Sequence, residues 1–431
     1  MENAASVGRK QLISAITASV FGWSLDLFDL FIILYVAPTI GPLFFPSSNP
    51  TLSLASVYAS FAVSLLMRPA GSAVFGVIAD KQGRKRAMIG AIIGVGLFTA
   101  LLGTLPTVAR VGLLAPVLFL LLRLLQGLFV GGVVASTHTI GTETVAPRWR
   151  GLLSGLIGGG GAGIGALIAS LALYVVSSAF PGHAFAVWGW RVMFFTGILS
   201  AVFGLFLFNA LEESPLWVAA KKKMPEPAKA PLRTVLSGSY LPVFLVNLMV
   251  VTGGGTQYYL TSGYLPTFLA VIDKVPKPQV GSIMVWGSAI VLVSSVLVGH
   301  LSELIGRRKA LLLVGIVNVI FIPVVYLQLA RAASPGQIVF YVLVLAFLGN
   351  AAYAPILIFL NERFPTAVRA SGTGFSWNSG FAIGGMMPTF VTLASPALGM
   401  IPSRLVYFLV GAILIMLIGA VLSPETRGRF E

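Results

Sequence analysis

The chain has 431 residues, 57% of them hydrophobic and only 10% charged, with a formal net charge of +15. A soluble domain carries roughly 25% charged residues, so this composition excludes one and defines an integral membrane protein. There is no cysteine, and the three histidines His138, His183 and His300 are widely scattered. A disulfide framework, thiol chemistry and a metal cluster are therefore not expected.

Many apolar runs exceed the ~20 residues that a helix needs to cross ~30 Å of hydrocarbon. Hydropathy places twelve spans near 12–42, 52–79, 86–106, 113–142, 152–178, 187–211, 239–270, 279–302, 309–330, 336–361, 371–396 and 403–422. The short alternating segments of a barrel are missing, so helices satisfy the backbone.

The first span contains GWSLDLFDLFIILY, with Asp26 and Asp29 at i and i+3 on one helix face. The second carries Arg68 and the fourth Arg123, followed by Gln126. Each such charge costs on the order of 3 kcal/mol at the bilayer centre unless it is paired or faces water. At ~1.5 Å per residue, Arg68 and Asp26 both fall near mid-membrane, so they can meet in one cavity. Low dielectric raises a carboxyl pKa and a nearby arginine lowers it, which suits Asp26 or Asp29 to carry a proton. The bland alternative is a static pair that ties helices together. Arginine offers a forked donor that fits a carboxylate, and Arg68 is the better-placed anchor, with Arg123 nearer the opposite leaflet.

His138, near the end of the fourth span, is a further proton-relay candidate or an interface residue. In the fifth span Gly158 to Ala166 has a GxGxxA spacing, but no strand surrounds it, and small residues in a spanning helix permit close packing. The stretch from Glu212 to about Tyr240 holds KKKMPEPAKAP and reads as a linker. The seventh span combines Gly253 to Gly255 with Gln257, Tyr258 and Tyr264, a helix expected to bend and present polar groups to a ligand or to pack its aromatics. Asn350, Tyr353, Asn361, Trp377 and Asn378 form a weaker set, and no charge lies deep in the second half.

Twenty of the 28 basic residues fall on the side that holds both termini. The charge is thus a topology signal that places the termini in the cytoplasm, and not a nucleic-acid footprint. The chain is also a repeat: Gly76 to Arg86 recurs as Gly299 to Lys309 at an offset of 223, and Glu143 to Arg150 as Glu362 to Arg369 at an offset of 219. The expected architecture is all-α, with twelve transmembrane helices in two six-helix pseudo-symmetric halves. Their bounds are 1–211 and 239–431, joined by a cytoplasmic linker at 212–238.

GVIADKQGRKR between spans two and three resembles the signature loop of the major facilitator superfamily. Asp26-Leu-Phe-Asp29, Arg68-Pro69 and Arg123-Leu-Leu-Gln126-Gly127 are similar to motifs of its metabolite:proton and sialate:proton symporter branches. Where dicarboxylate symporters often carry Gly-Gly-Glu, this chain has Gly131-Gly132-Val133. The resemblance implies a transporter and no enzyme, moving a small organic anion with protons as the coupling ion and no other cofactor. It would work as a monomer in the cytoplasmic membrane by rocker-switch alternating access. A neutral sugar or polyol is the alternative cargo. Together with the polar residues of the spans, this reading puts proton coupling at Asp26, Asp29 or His138, and substrate contacts at Arg68, Arg123, Gln126, Gln257, Tyr258, Tyr264 and Asn378. The expected gate comprises Gly76, Asp80, Gly83, Arg84, Glu143 and Arg150, answered by Glu303, Arg307, Glu362 and Arg369.

Overall fold

The computed structural model describes residues 9–82, 84–145, 149–210, 235–364 and 369–428. Six helices build the first half: α1 (Arg9–Phe44), α2 (Pro50–Gln82), α3 (Arg84–Leu102), α4 (Leu114–Thr144), α5 (Arg150–Ala179) and α6, which runs from a π turn at Phe185–Gly189 through Trp190–Phe195 to Ile198–Ala210. In the second half, α7 (Tyr240–Tyr258) continues through a π turn at Tyr259–Gly263 into Leu265–Val271. There follow α8 (Lys277–Ile305), α9 (Arg307–Leu329), α10 (Pro335–Tyr353 and Ile356–Asn361), α11 (Arg369–Leu393) and α12 (Ile401–Leu422).

Among the described residues ten of these helices are long and apolar enough to cross a membrane. The other two, α7 and α11, are diluted by glycine, serine, threonine and amide residues. They are also the helices that bring polar groups from the second half toward the first.

Proline and glycine mark the helix ends. Pro335 sits in the first turn of α10, where its missing N–H costs nothing, and the Ser334 hydroxyl caps that turn by accepting from the Gln337 N–H at 3.4 Å. Gly306, at φ 96°, makes the corner between α8 and α9, a conformation that side chains avoid. The Glu425 carboxylate fills the space beside it and accepts from the N–H groups of Arg307 at 2.8 Å and Arg308 at 3.2 Å, capping α9.

The two halves meet along α5 and α8 and along α2 and α11. The first seam is made by the glycines of α5: a methyl on Gly155 would lie 2.8 Å from the Ser295 carbonyl oxygen, and one on Gly163 3.0 Å from the Leu292 nitrogen. On the neighbouring face, a methyl on Gly165 would meet the Ser24 carbonyl of α1 at 2.4 Å. The glycine run therefore packs backbone on backbone on two sides.

Both ends are shut by contacts between halves. At the terminus-bearing end Gly151 and Gly155 lie against Glu303 and Gly299. At the far end the Tyr58 hydroxyl donates to Thr267 at 2.7 Å, and the Tyr58 ring stacks on Tyr264 with centroids 5.2 Å apart.

Candidate functional site between the halves

Close approach of α2 to α4 carries the charged residues into the middle. Methyls on Gly127 and Gly131 would each fall 2.1 Å from the carbonyl oxygens of Ser64 and Arg68, so only glycine lets the two backbones touch. Arg68 then faces α1, where its Nη1 lies 3.9 Å from Asp26 Oδ2, with both side chains almost wholly buried. This is an ion pair without a hydrogen bond. Arg68 Nε and Asp26 Oδ1 have no partner either.

Asp29 is 1% exposed, and neither of its carboxyl oxygens is hydrogen-bonded. With Asp26, Val133 and Ser200 it lines a narrow void too small to hold a water. The hydroxyls of Ser200 and Thr99, from α6 and α3, and the Arg123 guanidinium are its polar neighbours. The two aspartates thus line one void but have different company, Asp26 the arginine of α2 and Asp29 the hydroxyls behind α1. Val133, where the related motif has an acid, sits in that same void.

Arg123 donates through Nη1 to the Gln126 carbonyl oxygen, and the Gln126 amide donates to the Thr99 hydroxyl. Its guanidinium lies 5.6 Å from the Phe61 ring centroid, a cation–π distance. Gln126 thus orients Arg123 and has its amide engaged by the protein itself.

An aromatic enclosure supplied by both halves surrounds this centre. Trp23 of α1 meets Trp377 of α11 edge-on at 5.6 Å, Trp377 stacks on Phe381 at 4.3 Å, and Tyr353 of α10 contacts Tyr258 at 4.8 Å and Trp377 at 5.2 Å. Tyr259 bridges Phe61 and Phe381, each at 5.5 Å. The hydroxyls of Tyr258 and Tyr259 are buried without a hydrogen-bond partner, and the Tyr353 hydroxyl and the Trp23 indole nitrogen face each other. Buried donors are normally satisfied, so this cluster of vacant polar atoms beside a loosely paired arginine has the composition of a ligand site.

The structure moves several expected residues elsewhere. Gln257 turns into the second half, where its carbonyl accepts from Asn318 at 2.7 Å and its amide donates to the Gly253 carbonyl at 3.2 Å and the Met416 sulfur at 3.4 Å. Tyr264 belongs to the far-end closure, hydrogen-bonded to Thr392 at 3.1 Å and stacked on Tyr58. The bend of α7 falls at Tyr259–Gly263, after the three glycines; Gly253 packs so close to α12 that a methyl would meet the Ala412 carbonyl at 2.5 Å. Asn378 crosses between halves to Ser72, donating at 3.0 Å, with its carbonyl oxygen vacant. His138 is bonded to Ser154 and Asn361.

At the terminus-bearing end Arg307 binds Glu303 at 2.7 Å and Glu362 at 3.0 Å, and Thr426 donates to Glu362 at 2.9 Å. Arg150 begins α5 beside this cluster. Gly83 and the side chains of Gly76, Asp80, Arg84, Glu143 and Arg369 lie outside the described residues. Sequence reading missed Thr99 and Ser200, which nothing in spans three and six distinguishes from ordinary helix hydroxyls. It also missed Phe61, Phe381 and Trp23, whose clustering depends on helix rotation.

Two halves of six helices, rotated together over a buried charged centre, define a membrane transporter of the facilitator type. The family model of the Major Facilitator Superfamily matches residues 12–388, and the chain belongs to that superfamily. It is a multi-pass membrane transporter and not an enzyme. The inner membrane metabolite transport protein YhjE of Escherichia coli (strain K12) is 30% identical over 383 residues, covering 87% of this chain and 86% of its own. The glycine betaine/proline/ectoine/pipecolic acid transporter OusA of Dickeya dadantii (strain 3937) is 28% identical, with 88% and 77% covered. A putative proline/betaine transporter of Staphylococcus aureus (strain N315) is 30% identical, with 91% and 84% covered. Among solved structures, the partially occluded inward open xylose transporter XylE from E. coli superposes with a TM-score of 0.73 at 18% identity, covering 97% of this chain and 99% of that one. That likeness establishes the fold.

Proposed function

We propose that the chain is a proton-coupled symporter of a small carboxylate-bearing solute, working by alternating access in the cytoplasmic membrane with both termini inside. The observation that carries this reading is the Asp26–Arg68 pair, held at 3.9 Å without a hydrogen bond inside a two-half aromatic enclosure. A loosely held arginine can exchange its carboxylate partner for one on the substrate. The proton falls to Asp29 or Asp26. An ionised carboxyl without a counter-charge is costly in a low-dielectric interior while a protonated one is not. A carboxyl that alternates between a sealed and a wetted setting therefore takes up and releases a proton as the halves rock.

In proteoliposomes, uptake should rise with an inward proton gradient, and one of Asp26→Asn and Asp29→Asn should abolish gradient-driven accumulation while sparing substrate exchange. Full accumulation by both Asp26→Asn and Asp29→Asn would sink the reading.

The aromatic lining favours a zwitterionic cargo. Trp23, Trp377, Tyr258, Tyr259, Tyr353 and Phe381 offer ring faces to an ammonium or methylated ammonium group, while Arg68 takes the carboxylate. Relatives named for betaine and proline support this choice over a simple anion. Competition by a betaine and by its isostere without the cation, a branched carboxylate with carbon in place of nitrogen, separates the two. Equal competition rules out the cationic contact.

A further inference from the structure

One inter-half contact at the terminus-bearing end is made by side chains whose hydrogen-bonding atoms can be swapped one at a time. His138 projects from α4 and Asn361 from the last residue of α10, the helices that hold the same place in the two repeats. Both are buried, at 4% and 6% exposure. Asn361 Nδ2 lies 3.0 Å from His138 Nδ1, so this ring nitrogen bonds across the divide between halves. The other, Nε2, lies 3.0 Å from the Ser154 hydroxyl of α5, within the first half. The histidine is therefore oriented by its own half and extended to the other.

The contact lies beside the seam that closes this end. Ser154 precedes Gly155, which touches Gly299 of α8 backbone to backbone, and a methyl on Gly158 would meet Leu357 of α10 at 2.8 Å. Beyond Asn361 comes Glu362, engaged by Arg307 and Thr426. From α4 outward the order is anchor, bridge and ion cluster.

Resting on the alternating-access reading, we infer that the His138–Asn361 hydrogen bond is a latch that holds the terminus-bearing end closed, with Ser154 as the positioning residue that aims the ring. The role is conformational: His138 keeps a gate shut. Opening must break the bond because its two members belong to halves that separate. Closing remakes it only if the ring is still aimed, which is what the Ser154 bond within the first half provides.

The absence of cysteine from the chain makes the test direct, because an introduced thiol is the only one. Leu357→Cys reports at the latched end, and Leu34→Cys, beside Gly263 of α7, reports toward the far end. Maleimide labelling rates of the purified protein are compared for each reporter. Adding His138→Ala or Asn361→Ala should raise labelling at residue 357 about fivefold, the shift expected from losing one buried hydrogen bond, and lower it at residue 34. His138→Asn, which keeps a polar atom where Nδ1 lies, should stay near the parent. His138→Gln, which keeps one where Nε2 lies, should behave like the alanine variant. Rates unchanged within twofold would overturn the latch. So would a parallel rise at both reporters, which marks loosened packing, or equal behaviour of the asparagine and glutamine variants. The assay needs no substrate and no proton gradient, so its outcome is independent of whether the cargo and coupling ion are correctly assigned.

Discussion

The two halves share a plan and differ in where they keep their charges. In the first, Asp26, Asp29, Arg68 and Arg123 are all buried at the middle of helices. In the second, the corresponding depth holds neutral pairs, Gln257 with Asn318 and Asn350 with Ser295. Its ion cluster of Glu303, Arg307 and Glu362 lies at the terminus-bearing end. A repeat fixes helix packing without fixing chemistry: one half holds its charged groups at the middle, and the other holds neutral pairs there and its ion cluster at one end.

The sharpest way to break that contrast is to remove an arginine from each half. Arg307→Met leaves the buried Glu362 carboxyl without its cation and should cost about 3–5 kcal/mol of stability, read as a large fall in the melting temperature of the purified protein. Arg68→Lys keeps the charge and loses the fork. It should melt close to the parent and lose at least about tenfold in transport, roughly 1.4 kcal/mol of substrate or transition-state contact. If the Arg68 variant lost stability instead of transport, the central pair would be a mere tie.

A smaller effect tests the neutral depth of the second half. Gln257→Leu removes the acceptor of Asn318 and should destabilise by about 1–2 kcal/mol while leaving the substrate KM within about twofold. A tenfold rise in KM would return Gln257 to the substrate site.

The smallest effect concerns the far-end loop after α7. Burial pushes the Asp273 carboxyl up to about 7. The folded protein therefore holds a proton that the unfolded chain has released above about pH 4, and stability falls as pH rises from there to about 7, then levels. Asp273→Asn should flatten that slope and melt above the parent at pH 8. A parallel pair of melting curves across pH 4–8 would show the carboxyl to be solvated.

Twelve spans, the repeat and the meeting of Asp26 with Arg68 were legible because hydropathy, motif spacing and rise per residue are one-dimensional quantities. The surroundings of Asp29 were not. Residues at i and i+3 differ by about 60° around a helix, enough to send Asp26 toward α2 and Asp29 toward Thr99 and Ser200. Gln257 and Tyr258 illustrate the same limit: adjacent on α7, one turns into its own half and the other into the enclosure. Sequence identifies polar residues in a span, but helix rotation assigns each to cavity or core.

The glycine face of α5 carries a consequence for energetics. Where glycines set backbone against backbone the seam buries fewer apolar side chains, so wetting those stretches forfeits less of the ~25 cal/mol per Å² than an interdigitated interface would lose. Closed and open forms of such a seam then differ by a small free energy. A cargo that binds one form only tenfold more tightly, a matter of ~1.4 kcal/mol, is enough to redistribute the ensemble. Threading bulky residues through Gly155 or Gly163 would do more than cause a clash, because it would deepen the gap that binding energy has to cross.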